Sequence, residues 1–304
     1  MNINSKTIIV IVGPTASGKT KLGIDIAKYF NTEIISADSR QIYKGLKIGT
    51  AQPTNEEISQ IKHHLINFVD VKDYYSVAQY EQDSLKILQD LFKNNDIVVI
   101  VGGTGFYINA LCNGIDDIPE INKEINDLVD DLYQKEGLQR CVDELLKLDS
   151  KSGDFIELQN PVRVIRALKV IKNTGKPIYE YFNKTKKKRD FNIIYVGINL
   201  DRDYLYDRIN KRVDIMINDG LVDEARNFID FQHYNSLNTI GYKEIFNYLN
   251  GKYSLKEAID DIKLNTRHYA KRQMTWFRKN KDINWFENVD TDKILTFINN
   301  KYGI

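Results

Sequence analysis

Apolar positions follow two different rhythms along this chain. Near its start, "TIIVIVG" is a short β-branched run ending in glycine, the mark of a parallel strand buried on both faces. Residues 19–30 then space Leu22, Ile26 and Phe30 four apart, which predicts a helix. "TEIISADS" predicts a second strand running into polar residues, "SVAQYEQDSLKILQDLFKNND" a helix, and "DIVVIVGGTG" a third strand closed by a glycine turn. Strand, helix, strand, helix, strand is the pattern of a doubly wound α/β sheet.

The rhythm changes after "NGIDDIP". Residues 120–189 carry helical segments rich in Asp, Glu, Lys and Leu, with no convincing strand, before "NIIYVGINL" returns as one. A helical block between strands of one sheet predicts an inserted domain. The expected division is an α/β core over 1–117 and 191–304 and an all-helical insert over 118–190. Helices are expected over 202–230 and 241–281, then a short strand at "INWFE" and a closing helix.

"GPTASGKT", Gly13, Pro14, Thr15, Ala16, Ser17, Gly18, Lys19 and Thr20, fits the phosphate-loop pattern G-x-x-x-x-G-K-[ST] between a strand and a helix. Such a loop turns backbone N–H groups toward anionic oxygens, and the helix behind it adds its positive end. Lys19 supplies a point charge, and the Thr20 hydroxyl can bind Mg²⁺. The acid that a nucleoside triphosphatase places at a strand end to hold Mg²⁺ is missing: the third strand ends in Gly102, Gly103 and Thr104. The acid stands after the second strand instead. Asp38 either caps the next helix or serves as a base beside the phosphates.

Charge alters the picture through its distribution. Lys+Arg 43 against Asp+Glu 42 leaves a net charge of +1, which by itself says nothing of nucleic acid. Yet "RHYAKRQMTWFRKNK", residues 267–281, is basic without an acid. On a helix, Arg267, Lys271 and Arg278 align beside His268, Arg272 and Lys279, while Tyr269, Ala270, Met274, Trp276 and Phe277 take the opposite, inward arc. "NPVRVIRALKVIKNTGK" is a second one-signed helix, started by Asn160 and Pro161 and stopped by Gly175, with Arg163, Arg166, Lys169 and Lys172 between. One-signed stripes predict a polyanionic partner. "KTKKKRD", residues 184–190, reads as a solvated turn. His63 and His64 point apart and lack a third ligand at metal spacing, so they are expected to be structural. Two cysteines, Cys112 and Cys141, suit a reducing compartment and small buried side chains. "MNINSKT" carries no signal-like segment, and no apolar run approaches the ~20 residues of a membrane helix, so a cytoplasmic protein is expected. No apolar interface pattern stands out, which predicts a monomer.

In their order, "GPTASGKT", "ISADSRQIYKGLKIGTAQP", "VGGTGFY", "NPVRVIRAL", "NTIGYKE" and "AKRQMTWFRKN" resemble the tRNA dimethylallyltransferase family, bacterial type without the C-terminal zinc finger, over nearly the whole chain. The resemblance implies transfer of a dimethylallyl group from dimethylallyl diphosphate to N6 of adenosine 37 in tRNAs reading codons that begin with U. It implies that residues 13–20 and Mg²⁺ hold the donor diphosphate, that Arg212 grips it, that Asp38 is the general base and that Thr104 contacts the target nucleotide. It makes four segments tRNA-contacting: Asp38, Ser39, Arg40 and Gln41; Val162, Arg163, Val164, Ile165 and Arg166; Asn238, Thr239, Ile240, Gly241, Tyr242 and Lys243; and Lys271, Arg272, Gln273, Met274, Thr275, Trp276, Phe277 and Arg278. Where some relatives carry a basic contact residue, this chain has Asn126. The insert is expected to close on the anticodon arm of the tRNA anticodon stem-loop. The residues alone leave open an ATP-dependent small-molecule kinase, a prenyltransferase acting on free AMP, ADP or ATP, and a non-catalytic RNA-binding NTPase.

Overall fold

The run Thr7–Val12 forms β1, with every residue buried. The computed structural model describes residues 6–182 and 187–303. After β1 come α1 (Lys19–Tyr29), β2 (Ile34–Ser36), α2 (Asn55–Gln60), β3 (His63–His64), α3 (Val77–Leu91), β4 (Ile97–Val101) and α4 (Gly105–Asn113). Next are α5 (Lys123–Leu148), α6 (Ser152–Phe155) and α7 (Pro161–Thr174), then β5 (Asn192–Ile198). The chain closes with α8 (Arg202–Asn218), α9 (Leu221–Arg226), α10 (Tyr242–Leu249), α11 (Leu255–Phe277), β6 (Asn284–Phe286) and α12 (Thr291–Tyr302).

The strands form one sheet in the order β3-β2-β4-β1-β5-β6, all parallel. This is a P-loop NTPase-like sheet flanked by helices. Because side chains alternate, Ile9 and Ile11 of β1 face a core shared with Leu22 and Ile26 of α1 and Ile294 of α12. Ile8 and Val10 face the other core, with Tyr80 of α3 and Tyr107 of α4, whose rings stack 4.0 Å apart. Each such fully buried branched side chain contributes about 1.5–3 kcal/mol. A third core packs α8 to α11 against Ile42, Leu46 and Val69. Parallel order puts the ends of β1, β4 and β2 side by side at one edge, and the loops leaving them carry the site.

The strand expected third is the fourth, because His63 and His64 pair with Ile34 and Ile35 as a two-residue edge strand. His64 meets Glu33 at 2.5 Å, and among the described residues no group of three His, Cys, Asp or Glu could hold a metal. The expected helix over 202–230 breaks at Gly220, at φ 99°, and that over 241–281 divides into α10 and α11, the second opened by a Ser254–Glu257 capping box. Both cysteines are buried.

The chain separates into two compact units, residues 1–113 with 188–304, and residues 114–187. Both junctions fall slightly before the expected ones. Gly114, at φ 80°, turns the chain out of α4. On its return Arg189 is already anchored: Nε donates to Leu111 O at 2.8 Å, and Nη2 to Glu81 Oε1 at 2.5 Å and Ala110 O at 2.7 Å. The basic run at 184–190 is thus no uniform solvated turn, because Arg189 is a half-buried ion-pair partner; residues 184–186 of it lie outside the described residues.

The second unit is helical. Its α5 is interrupted at Gly137, and Val129, Leu145, Val164 and Leu168 form its core with α7. Asn160 caps α7 by accepting from Arg163 N, and Gly175 ends it.

Candidate active site

Helix α1, like α9, begins after a left-handed glycine. Side chains cap α2, α3, α7 and α11, but α1 follows Gly18, at φ 95°, with no side-chain cap. Among the described residues the amides of Gly18, Lys19 and Thr20 carry no hydrogen bond, and Ser17 Oγ is buried without a partner. Unpaired donors gathered at a helix N-terminus are a preformed anion site. Two cations lie on the loop's own carbonyls: Lys19 Nζ donates to Pro14 O at 2.6 Å and Arg208 Nε to Ala16 O at 2.7 Å. Ala16 sits at φ 63°, a left-handed conformation that costs an L-residue roughly 1–2 kcal/mol, and the Arg208 bond helps hold it.

Arg212, one turn beyond Arg208 on α8, reaches Thr15 Oγ1 at 3.5 Å. Burial pushes the Lys19 ammonium down to about 7; Arg212 lowers it further, while Asp38 opposes the shift. Arg212 is lowered as well, by burial and then by Arg208. These groups line a cavity of about 620 Å³ bounded also by residues 47–48 and 50–55. Arg208 was not singled out from the sequence, although its i, i+4 spacing to Arg212 was available as a signal.

A second cavity, of about 530 Å³, opens on the other side of a shared wall. Thr15, Asp38, Arg212, Tyr269 and Gln273 belong to both. Asp38 leaves the end of β2 and accepts from Arg40 N at 2.9 Å and Gln41 N at 3.3 Å, both through Oδ1. Its capping role is therefore real, and it occupies one oxygen; Oδ2 has no hydrogen bond among the described residues. Thr104, at the end of β4, accepts from Ser39 N at 3.0 Å through Oγ1 and lines the second cavity, as do Ser39 and Arg40.

The glycine-rich turn has a packing reason. A Cβ on Gly102 would overlap the Ala37 carbonyl, and one on Gly105 would overlap the Trp276 indole. Loop 47–49 is held by the Glu224 carboxylate, which accepts from Lys47 N, Ile48 N and Gly49 N at 2.9–3.0 Å and from the Tyr242 hydroxyl at 2.6 Å.

Several residues expected to contact tRNA are buried, although Gly241, Gln273 and Phe277 also line the second cavity. Tyr242 is fully buried on Glu224, Gly241 is buried, and Phe277 is in the core. Val164 faces the core of the second unit and Ile165 is half-buried. Gln273 is buried as a brace: its Oε1 accepts from Thr15 N at 2.8 Å and its Nε2 donates to Gly103 O at 2.9 Å. Helical period turns every third or fourth residue of a contact segment inward. The exposed remainder is Val162, Arg163, Arg166, Asn238, Lys243, Lys271, Arg272, Thr275, Trp276 and Arg278, while Thr239, Ile240, Met274 and Asn126 are half-buried. Trp276, expected inward, is 38% exposed, and the inward positions around it are Ala270, Gln273 and Phe277. Arg267 leaves the outward stripe to donate to Asn210 Oδ1 at 2.7 Å.

Two cavities meeting at one carboxylate, at the strand-end edge of a P-loop NTPase-like sheet, form a two-substrate arrangement. The family described as IPP transferase matches over residues 41–280, and the chain belongs to it. It is similar to tRNA dimethylallyltransferase 1 of Phocaeicola vulgatus, 48% identical with 96% of this chain and 97% of that one covered. It also resembles the tRNA dimethylallyltransferase of Christiangramia forsetii, 45% identical with 98% and 99% covered. Among solved structures, a full-length tRNA isopentenylpyrophosphate transferase from Bacillus halodurans superposes with TM-score 0.71 at 39% identity, covering 98% of this chain and 96% of that one. A eukaryotic dimethylallyltransferase acting on tRNA superposes with TM-score 0.82 at 27% identity, covering 98% and 77%. The kinase alternative falls with these findings. Among the described residues no helix is long and apolar enough to cross a membrane.

Proposed function

We propose that this chain transfers a dimethylallyl group from dimethylallyl diphosphate to N6 of adenosine 37 of tRNA, as a soluble monomeric enzyme of the cytoplasm. The observation that carries the reading is Asp38, on the wall common to both cavities with one oxygen uncommitted. The donor's diphosphate lies against residues 13–20, and the target adenine enters the second cavity past Thr104. The C1–O bond of the donor breaks as the N6–C1 bond forms, the N6 proton passes to Asp38 Oδ2, and diphosphate leaves with the bonding pair. An allylic carbon tolerates partial cation character, so a weakly nucleophilic amine suffices.

The loop amides, Lys19, Arg208 and Arg212 meet the charge that grows on the leaving oxygens, from positions fixed beforehand. Lys19 exchanges Pro14 O for a phosphate oxygen. Thr20 fits one ligand position of Mg²⁺: its hydroxyl lines the cavity without a hydrogen bond, beside the orphaned Ser17 Oγ. Mg²⁺ keeps few protein ligands and takes the rest from phosphate and water, which suits a site where the described residues form no cluster of three acids. When bound it neutralises part of the diphosphate charge.

The test offers dimethylallyl diphosphate and Mg²⁺ with either an anticodon stem-loop carrying A36-A37-A38 or free AMP. Mass spectrometry reads the added group. Addition to the stem-loop alone is expected; addition to AMP alone overturns the tRNA assignment. Asp38→Asn keeps an oxygen for Arg40 N and Gln41 N, so it should lower kcat roughly 10²–10⁴-fold with stem-loop affinity unchanged. Equal loss of affinity would remove Asp38 from the chemistry.

A further inference from the structure

Phe106 and Trp276 stand apart from the other large aromatic residues near the site. Phe106 is the second residue of α4, immediately past the Thr104 turn, and is 61% exposed; Trp276 on α11 is 38% exposed. Their rings lie 4.6 Å apart and are tilted by 50°. Both line the second cavity, which also reaches Thr104 and Asp38. The absence of a side chain at Gly105 lets the indole lie against the start of α4.

The surroundings carry one sign. Lys279 Nζ stands 5.9 Å from the Trp276 ring, and Lys271, Arg272 and Arg278 are exposed on the same stretch of chain. None of these four has an ion pair among the described residues. Aromatic faces bordered by unpaired cations are the composition of a single-strand nucleic-acid platform, since every base offers a π-face and every linkage a phosphate. An acidic or apolar protein surface would match only half of it.

We propose that Phe106 and Trp276 form a stacking shelf for the unpaired base next to the target adenine. The inference rests on the tRNA reading and deepens it. The target itself must pass inward to Asp38, so the shelf on the same cavity's wall serves its neighbour. Extruding one base strips its neighbour of a stacking partner, and the shelf replaces it. One such contact changes affinity by roughly fivefold to a hundredfold.

The chain has two tryptophans, so Trp285→Phe leaves Trp276 as the sole tryptophan, read by selective excitation apart from the tyrosines. This variant is titrated with the stem-loop, intact or abasic at position 36, 37 or 38. Quenching is expected with the intact and the 37-abasic RNA, and its loss with one flanking abasic RNA. In the otherwise unaltered enzyme, Phe106→Leu should raise KM for the stem-loop several-fold without moving KM for the donor, and Phe106→Tyr should restore it. That pair keeps the test decisive should the fluorescent variant fold poorly. Quenching and kinetics indifferent to both flanking abasic sites, with the intact stem-loop still prenylated, would overturn the shelf and leave the function standing. So would quenching lost only with the 37-abasic RNA, or Trp276 emission that follows protein concentration rather than RNA. An intact stem-loop that the unaltered enzyme does not prenylate would instead overturn the tRNA reading itself.

Discussion

Helices α7 and α11 look alike in the sequence and differ in the folded chain. On α7, Arg163 meets Glu157 at 2.7 Å, Lys169 meets Asp130 at 2.7 Å, and Lys172 meets Glu144. Acids from elsewhere in the same unit neutralise the stripe, and of its four cations Arg166 is the one without an ion pair among the described residues. On α11 and just beyond it, Lys271, Arg272, Arg278 and Lys279 keep their charge unpaired. A run of one sign along the chain is not a patch of one sign in space. Lys19 is a third case: desolvated beside Arg212, and only partly compensated by Asp38, its ammonium is lowered to about 7.

Each case answers to a measurement, and the largest effect belongs to α11. Replacing Lys271 and Arg278 by alanine should weaken stem-loop binding roughly tenfold or more and flatten log K against log salt by about 1.5–2. An unchanged slope would make the two helices equal again. Next comes Lys19. Its folded pKa of about 7 lies below the ordinary lysine value of 10.5, so the proton is bound in the unfolded chain and absent in the ligand-free fold between those limits. Stability from this group therefore rises with pH across that window, whereas diphosphate binding, which needs the charged form, takes up a proton there. Affinity for inorganic diphosphate should fall roughly tenfold from pH 7 to about pH 8.5, with uptake of close to one proton by calorimetry in two buffers. No uptake would mean that Lys19 stays charged.

Arg166→Ala should move the salt slope by roughly 0.7–0.9, the share of one phosphate contact. Smallest of all, Lys169→Ala should leave the slope nearly alone and reduce stability by about 0.2–1 kcal/mol, the range of partly exposed ion pairs. A slope change as large as that of the α11 pair would show α7 cations leaving their acids for RNA.

The sheet was legible where apolar runs were long. Thr7–Val12 and Ile97–Val101 are buried on both faces and read as nothing else. His63 and His64 were not, because two half-buried polar residues have no period of their own and their strand exists through β2. Helix α4 starts from the glycine turn, where Thr104, a residue type that often caps a helix, instead accepts from Ser39 N. At the site, loop 13–20 and Asp38 were legible in the residues themselves, Thr104 and Arg212 through the family resemblance, and the fold brings them to one edge. The direction of individual side chains was less so. A period fixes which residues share a face, but the neighbouring element decides which face is covered, so Trp276 turned outward and Gln273 inward. Glu224 carried no motif at all: three amides of a distant loop define it.

Gln273 joins two loops by one side chain, with Thr15 N on its carbonyl end and Gly103 O on its amide end. One loop belongs to the anion site and the other to the turn that precedes Thr104. Through this one side chain, a shift of Thr15 N would pull on Gly103 O and so on the turn that carries Thr104. Coupling of this kind runs equally in both directions: whatever factor the first ligand adds to the affinity of the second, the second returns to the first.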